Sequence, residues 1–267
     1  MVIEERQSLH RISDVKAFKE YLERRVRPGT VRAYIDALAR WQEYLGSMAP
    51  SRELAQRYID MLANKLAPST VSLRAHAIAK YFRFHGIHLD LDCPSIAYPE
   101  PKYKSMKEID LILMHCENPR EKAVVIVLFD TAIRISELLN LKLDNIHWEI
   151  GTITVERKGG RKEDVNISDK AMAALREWLE VRDMNSDSIF GDMAYIDAWR
   201  MIKKIGKRSN MDLAPHMLRH SRAIQMLMNN SSLHDVQNHL GHVNIATTAN
   251  IYGRFKALDL KERIPSW

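Results

Sequence analysis

The sequence predicts a mainly α-helical protein with a small β-sheet, arranged as two domains. Three observations carry that prediction. Apolar residues recur at helical spacing through most of residues 13–86. A stretch with three prolines, HLDLDCPSIAYPEPKYKSM, then breaks the periodicity. Beyond it one segment, GTITVERKGGRKEDVNIS, switches to period two around paired glycines. The expected boundaries are 1–92 for a helical N-terminal domain, 93–104 for a linker, 105–254 for the second domain and 255–267 for a tail.

The first helix lies in SDVKAFKEYLERRV, where Val15, Phe18, Tyr21 and Leu22 share a face that Val26 can extend. RPGTVRAYIDALARWQEYLG follows, with Thr30 as the expected N-cap, Gly46 as the stop, and a stripe of Val31, Tyr34, Ile35, Leu38, Trp41 and Leu45. A third helix is expected from Ser51 to Ala63. The fourth, APSTVSLRAHAIAKYFRFHG, takes Ser69 or Thr70 as cap, with Val71, Ala75, Ile78 and Phe82 inside and Arg74, Lys80 and Arg83 outside. Pro94, Pro99 and Pro101 mark the linker. Helices are then expected around Lys107 to His115 and Glu121 to Asn140. Strands carrying Ile153 and Val155, then Val165 and Ile167, flank a turn at Gly159 and Gly160. Further helices span Asp169 to Val181 and Tyr195 to Lys207, and helix resumes after Pro215.

Composition narrows the function. A chain of 267 residues that is 46% hydrophobic can bury a sizeable core, and a formal charge of +6 favours a polyanionic partner. The two cysteines, Cys93 and Cys116, form no C-x-x-C pair, which argues against a disulfide scaffold or zinc module and for a reducing cytoplasm. The start, MVIEERQSLHRISDV, lacks an apolar signal core, and the longest apolar run, Val124 to Phe129, is too short to cross a bilayer.

Four segments of the second domain could carry chemistry. In TAIRISELLNL, Arg134 stands among Ile133, Ile135, Leu138 and Leu139, where an unpaired guanidinium would be costly to bury. Taken alone, an ion pair with Glu137 explains it. In APHMLRHSRAIQML, His216 and Arg219 lie one turn apart near a helix start opened by Pro215, a ready oxyanion clamp. The plainer reading is a solvated basic face continued by His220 and Arg222; zinc on His216 and His220 is weaker, because H-E-x-x-H is absent. Lys158 in ERKGGRKED is either a hairpin tip or a flexible ammonium reaching a groove. Tyr252 in LGHVNIATTANIYGRF is either a core aromatic or a reactive phenol, and Thr247, Thr248, Asn250 and Gly253 make a poor core setting.

The order Arg134, Lys158, His216 with Arg219, His242 and Tyr252 resembles the tyrosine recombinase (phage integrase) family. That family carries an arginine in T-G-x-R-x-S-E-L, a hairpin lysine, H-x-x-R, L-G-H and a nucleophilic tyrosine; here the segments read TAIRISELL, RKGGRK, HMLRH, LGH and NIYGRF. PGTVRAYIDALARW and LAPSTVSLRAHAIAKYFRF resemble its core-binding domain. Ala132 replaces the usual glycine, Arg161 and Asp164 depart from the hairpin pattern, and the interval from His242 to Tyr252 is one residue longer than in Xer-type members.

The resemblance implies an N-terminal helical core-binding (SAM-like) bundle and a C-terminal α+β catalytic domain. It implies a site-specific DNA recombinase that works through a 3′-phosphotyrosyl intermediate. Tyr252 would attack, Arg134 and Arg219 clamp the phosphate, and Lys158 protonate the leaving 5′ oxygen. His216 would assist proton transfer from the phenol and His242 hydrogen-bond the phosphate, the resemblance leaving open which histidine is the base, with Glu137 orienting the arginines or histidines. Thr30, Arg32, Arg40, Ser72, Arg74, Lys80 and Arg83 are the candidate DNA contacts. The implied partners are a duplex recombination site and further copies of the chain, a dimer on a site and a tetramer in synapsis, in a cytoplasmic, nucleoid-associated setting with no membrane. No metal, ATP or other cofactor is expected, since the sequence holds neither a phosphate loop nor clustered carboxylates for magnesium. The bundle starts too near Met1 for an arm-binding domain, and the tail, with Phe255, Leu258, Leu260, Ile264 and Trp267, is expected to dock on a neighbouring protomer. A type IB topoisomerase-like relaxing enzyme and a non-catalytic architectural DNA-binding protein are the rival readings.

Overall fold

Prolines, not hydroxyl caps, open two of the four helices of the N-terminal unit. In the computed structural model, which describes residues 14–95, 101–157, 160–182, 186–191 and 193–241 with Ala249 and Tyr252, α1 spans Val15–Glu23, α2 Pro28–Leu45, α3 Arg52–Ala63 and α4 Pro68–Phe84. Arg27 and Ala67 occupy the N-cap positions, with Pro28 and Pro68 just inside. Thr30, Ser69 and Thr70 therefore lie within the first turns, a correction to their expected capping role. Proline lacks only an N–H that the first turn leaves unbonded anyway, and its fixed φ suits the helix. Ser51 caps α3 by accepting from the Leu54 main chain.

The helical stripes meet in one core of Phe18, Leu22, Leu38, Trp41, Ile59, Ile78, Tyr81 and Phe82. Phe18 meets Tyr81 edge-on at 5.2 Å, and Trp41 lies 5.7 Å from Phe82. Burying each such side chain contributes about 1.5–3 kcal/mol.

The chain divides into two units, Met1–Ala97 and Tyr98–Trp267. Residues 96–100 of the expected linker lie outside the described residues. The second unit opens with α5, Met106–Met114, capped reciprocally by Ser105 and Glu108. Next, α6 covers Pro119–Thr131 and α7 covers Ile135–Leu139. One continuous helix was expected here; instead Ala132 turns left-handed at φ 50° and stops α6. An L-residue pays about 1–2 kcal/mol for that conformation.

A 3₁₀ turn, Leu143–Asn145, leads into an antiparallel sheet ordered β1-β2-β3, from Ile146–His147, Thr152–Glu156 and Lys162–Asn166. β1 had no periodic signal because it is two residues long. Ile153 faces Val165 across β2 and β3, and both are buried, as the period-two pattern requires. Helices α8 (Asp169–Val181), α9 (Tyr195–Arg208), α10 (Pro215–Met228) and α11 (Leu233–Leu240) complete the unit.

The core gathers around α6, whose residues Ala123 to Phe129 are all buried. The apolar run Val124 to Phe129 is thus a helix covered on every side, chiefly by α8 and α10. Among the described residues no helix is long and apolar enough to cross a membrane. A smaller cluster of Ala132, Ala223, Ile224, Leu227, Val236, Leu240 and Tyr252 sits beside the α6–α7 break.

Candidate active site

The break between α6 and α7 makes Arg134 the residue that opens α7, with its side chain 36% exposed. It was expected inside a helix; being at the end, it has an open side toward solvent. Its Nη1 donates to Glu137 Oε1 at 2.7 Å and its main-chain N–H donates to Glu137 Oε2 at 2.8 Å. The ion pair weighed from the sequence alone is therefore present. Among the described residues the guanidinium meets no further acceptor, although arginine carries five donors.

Glu137 is buried, and burial alone would raise its pKa. The main-chain and side-chain bonds from Arg134 and the charge of Arg157 outweigh that and hold the carboxyl below its ordinary range. Arg157, at the end of β2, donates from Nη1 to Glu137 Oε2 at 2.9 Å and from Nη2 to Glu163 at 3.2 Å.

Arg219 is 4% exposed, so the solvated-face reading of HMLRH fails for it. Helix α10 turns that face inward, toward the α6–α7 break and the end of α11. Arg219 Nη1 donates to the Ala132 carbonyl, and Nη2 donates to the Leu240 carbonyl at 2.7 Å. Burial, then the charge of Arg134, lowers its pKa to about 10, which still leaves it cationic at neutral pH. His216, one turn earlier, is lowered by burial and then by the charges of Arg219 and Arg134.

Tyr252 is 1% exposed, its ring packed within the cluster of α10 and α11 residues. The poor core setting expected from its sequence neighbours is corrected here: apolar residues of α10 and α11, with Ala132, wall the ring. Its hydroxyl is hydrogen-bonded to His220 Nδ1. Burial raises the phenol to about 12 against the opposing pull of Arg219, and burial, then His216 and Arg219, lowers His220 to about 4. A neutral imidazole accepts at Nδ1, so the phenol is the donor.

Arg134, Glu137, His216, Arg219 and Tyr252 are thus brought into one neighbourhood from α7, α10 and the chain beyond α11. Lys158, His242 and the tail lie outside the described residues. Two members were missed: His220, read as part of a solvated basic face although HMLRH sets it one turn from His216, and Arg157, indistinguishable by sequence from a soluble hairpin. Among the described residues no group of three or more His, Cys, Asp or Glu is placed to hold a metal ion.

The candidate DNA contacts divide by what they already touch. Arg32 and Arg83 are exposed. Arg40 pairs with Asp36 at 3.0 Å, Ser72 meets His76 at 3.2 Å, Arg74 donates to the Tyr58 hydroxyl at 3.3 Å, and Lys80 lies over the Tyr21 ring. Thr30 is half-buried in the first turn of α2.

Residues 103–257 match the phage integrase family, and residues 15–85 match the phage integrase N-terminal SAM-like domain. The tyrosine recombinase XerA of Pyrococcus horikoshii is 27% identical, across 98% of this chain and 96% of its own length. That of Pyrococcus furiosus is 29% identical, across 94% and 92%. Among solved structures, XerH site-specific recombinase bound to palindromic difH substrate in a post-cleavage complex has the same fold with a TM-score of 0.76. It is 18% identical and covers 93% of this chain and 82% of that one. A lambda integrase dimer bound to a COC′ core site has a TM-score of 0.71 at 15% identity, covering 97% and 98%.

Proposed function

The chain belongs to the phage integrase family, and from that premise we propose that it is a site-specific recombinase whose Tyr252 cleaves and rejoins duplex DNA. The observation that carries the reading is the convergence of Arg134, His216 and Arg219 on one neighbourhood with a phenol. These segments are far apart in sequence, and a packed core has no need of three cationic or ionisable groups beside a tyrosine.

Tyr252 Oη attacks the scissile phosphorus, the P–O5′ bond breaks, and a 3′-phosphotyrosyl link forms. Arg134 and Arg219 stabilise charge on the non-bridging oxygens, as paired guanidinium donors suit phosphate. Arg134, open on one side, is the first contact; Arg219 stands behind it, held by two carbonyls. Lys158 supplies a proton to the departing 5′ oxygen, and His242 binds the phosphate. A 5′ hydroxyl of another strand reverses the steps, so the bond energy is conserved and neither ATP nor metal is required.

The phenolic proton leaves through a histidine. Burial holds the phenol above its ordinary range and His220 below its own, so proton transfer within that pair is uphill. The DNA-free site therefore holds a neutral, unreactive tyrosine. A phosphate beside the histidines raises their basicity and lowers this barrier.

The substrate is a duplex recombination site, bound by a dimer and brought into a tetrameric synapse. Such an enzyme works on the nucleoid in the cytoplasm. A nicked suicide substrate tests the reading: the wild-type chain should become covalently linked to DNA, with EDTA present, and Tyr252→Phe should bind the site without linkage. An adduct with the Phe variant, or cleavage restored only by magnesium, overturns it. Strand exchange between two sites, as opposed to relaxation of a single supercoiled circle, separates recombination from a topoisomerase-like activity.

A further inference from the structure

Arg157 is as buried as Arg219, at 4% exposure, yet the chemistry proposed above gives it no task. Three contacts define its place. Nη1 reaches the same Glu137 oxygen that receives the Arg134 main-chain N–H. Nη2 reaches Glu163 on β3, which Arg161 also engages. The guanidinium then presses against Gly241, where a Cβ would stand 2.6 Å from Nε and 2.7 Å from Cζ. Gly241 is left-handed at φ 60° and closes α11 directly after Leu240, whose carbonyl anchors Arg219.

We infer that Arg157 is a positioning residue, a single buried guanidinium that sets both arginines of the phosphate clamp. It holds Arg134 through Glu137 and holds Arg219 through the turn at Leu240 and Gly241. Leaving Gly241 without a side chain is what lets the guanidinium lie beneath that turn.

This inference rests on the recombinase reading, and the test separates the two. Arg157→Met is expected to keep affinity for the DNA site within about threefold, since the residue is out of reach of DNA. Single-turnover cleavage of the suicide substrate should fall about 100-fold, the cost of a clamp displaced by roughly 1 Å. On a site whose scissile phosphate is replaced by an uncharged methylphosphonate, the defect should shrink to less than about tenfold, because less charge needs a clamp. A residue that only stabilised the fold would lose both substrates alike. Arg157→Lys should restore part of the rate, as an ammonium reaches one carboxylate but not two. Should Arg157→Met fail to fold, Gly241→Ala displaces the intact guanidinium and should give the same selective defect. Equal loss on both substrates, or cleavage within about threefold of wild type by either folded variant, overturns the inference. Absence of any covalent adduct with the wild-type chain would sink the recombinase reading instead.

Discussion

The two units of this chain handle charge in opposite ways. Among the described residues, every buried charged side chain lies in the second unit: Glu121, Asp130, Glu137, Arg157, Arg182 and Arg219. In the first unit the ion pairs, such as Lys19 with Glu23 at 3.7 Å, have both partners more than half exposed. A helical bundle needs only an apolar interior, so its charges stay in water. Burying arginine costs several kcal/mol unless carboxylates and carbonyls surround it, and in the second unit they do: Arg157 meets Glu137 and Glu163, and Arg219 meets two main-chain carbonyls.

The sharpest way to break that contrast is Arg219→Met. Cleavage of the suicide substrate should fall by about 1000-fold, while chemical denaturation should register a loss of only about 2 kcal/mol from the orphaned Ala132 and Leu240 carbonyls. A variant that cleaves normally would reduce Arg219 to scaffolding.

Acid should expose the buried site next. His220 is lowered to about 4 in the folded protein, against about 6.5 when unfolded. Between those values the unfolded chain binds more protons, so stability present above pH 6.5 is lost as pH falls toward 4, by up to about 3 kcal/mol. Tyr252, raised to about 12, acts at the other end: its contribution is complete below pH 10 and disappears as pH rises through 12. Thermal melts from pH 7 to pH 4 should lose much of their slope in His220→Asn. An unchanged slope would place the titration elsewhere.

In the first unit the expected effects are smaller and concern binding. Arg83→Ala, at an exposed site in the last turn of α4, should weaken DNA-site affinity by about 1 kcal/mol and reduce the salt dependence by about one counterion. Gel shifts at several salt concentrations measure both, and an unchanged slope would remove Arg83 from the interface. Smallest of all, Lys19→Ala should alter unfolding free energy by less than about 0.5 kcal/mol. A loss above 1 kcal/mol would mean that surface pairs do hold this bundle together.

Much of the fold was readable because apolar periodicity reports directly on which face is buried. The stripes of α2 and α4 and the alternation of β2 depend only on local spacing. Capping was harder to read: Thr30 is a favoured cap type, yet Arg27 takes the N-cap position with Pro28 just inside the helix. The left-handed turn at Ala132 left no mark either, since alanine is a strong helix former and its carbonyl is held by Arg219, 87 residues away.

For the site, the ordered residues carried a resemblance to the family that the chain belongs to, because motif order survives in sequence whatever the packing. Burial was not in that order. Arg157 and Arg161 stand in the same basic hairpin, yet one is enclosed and the other is exposed. His216 and His220 share a helix, yet it is His220 that meets the Tyr252 hydroxyl. Such differences arise when separate elements close on one another, as the α6–α7 break, the β2–β3 hairpin and the end of α11 do around Glu137 and Arg219. Local sequence sets which groups are available; long-range packing selects which of them leave water, and desolvation turns those few into a site.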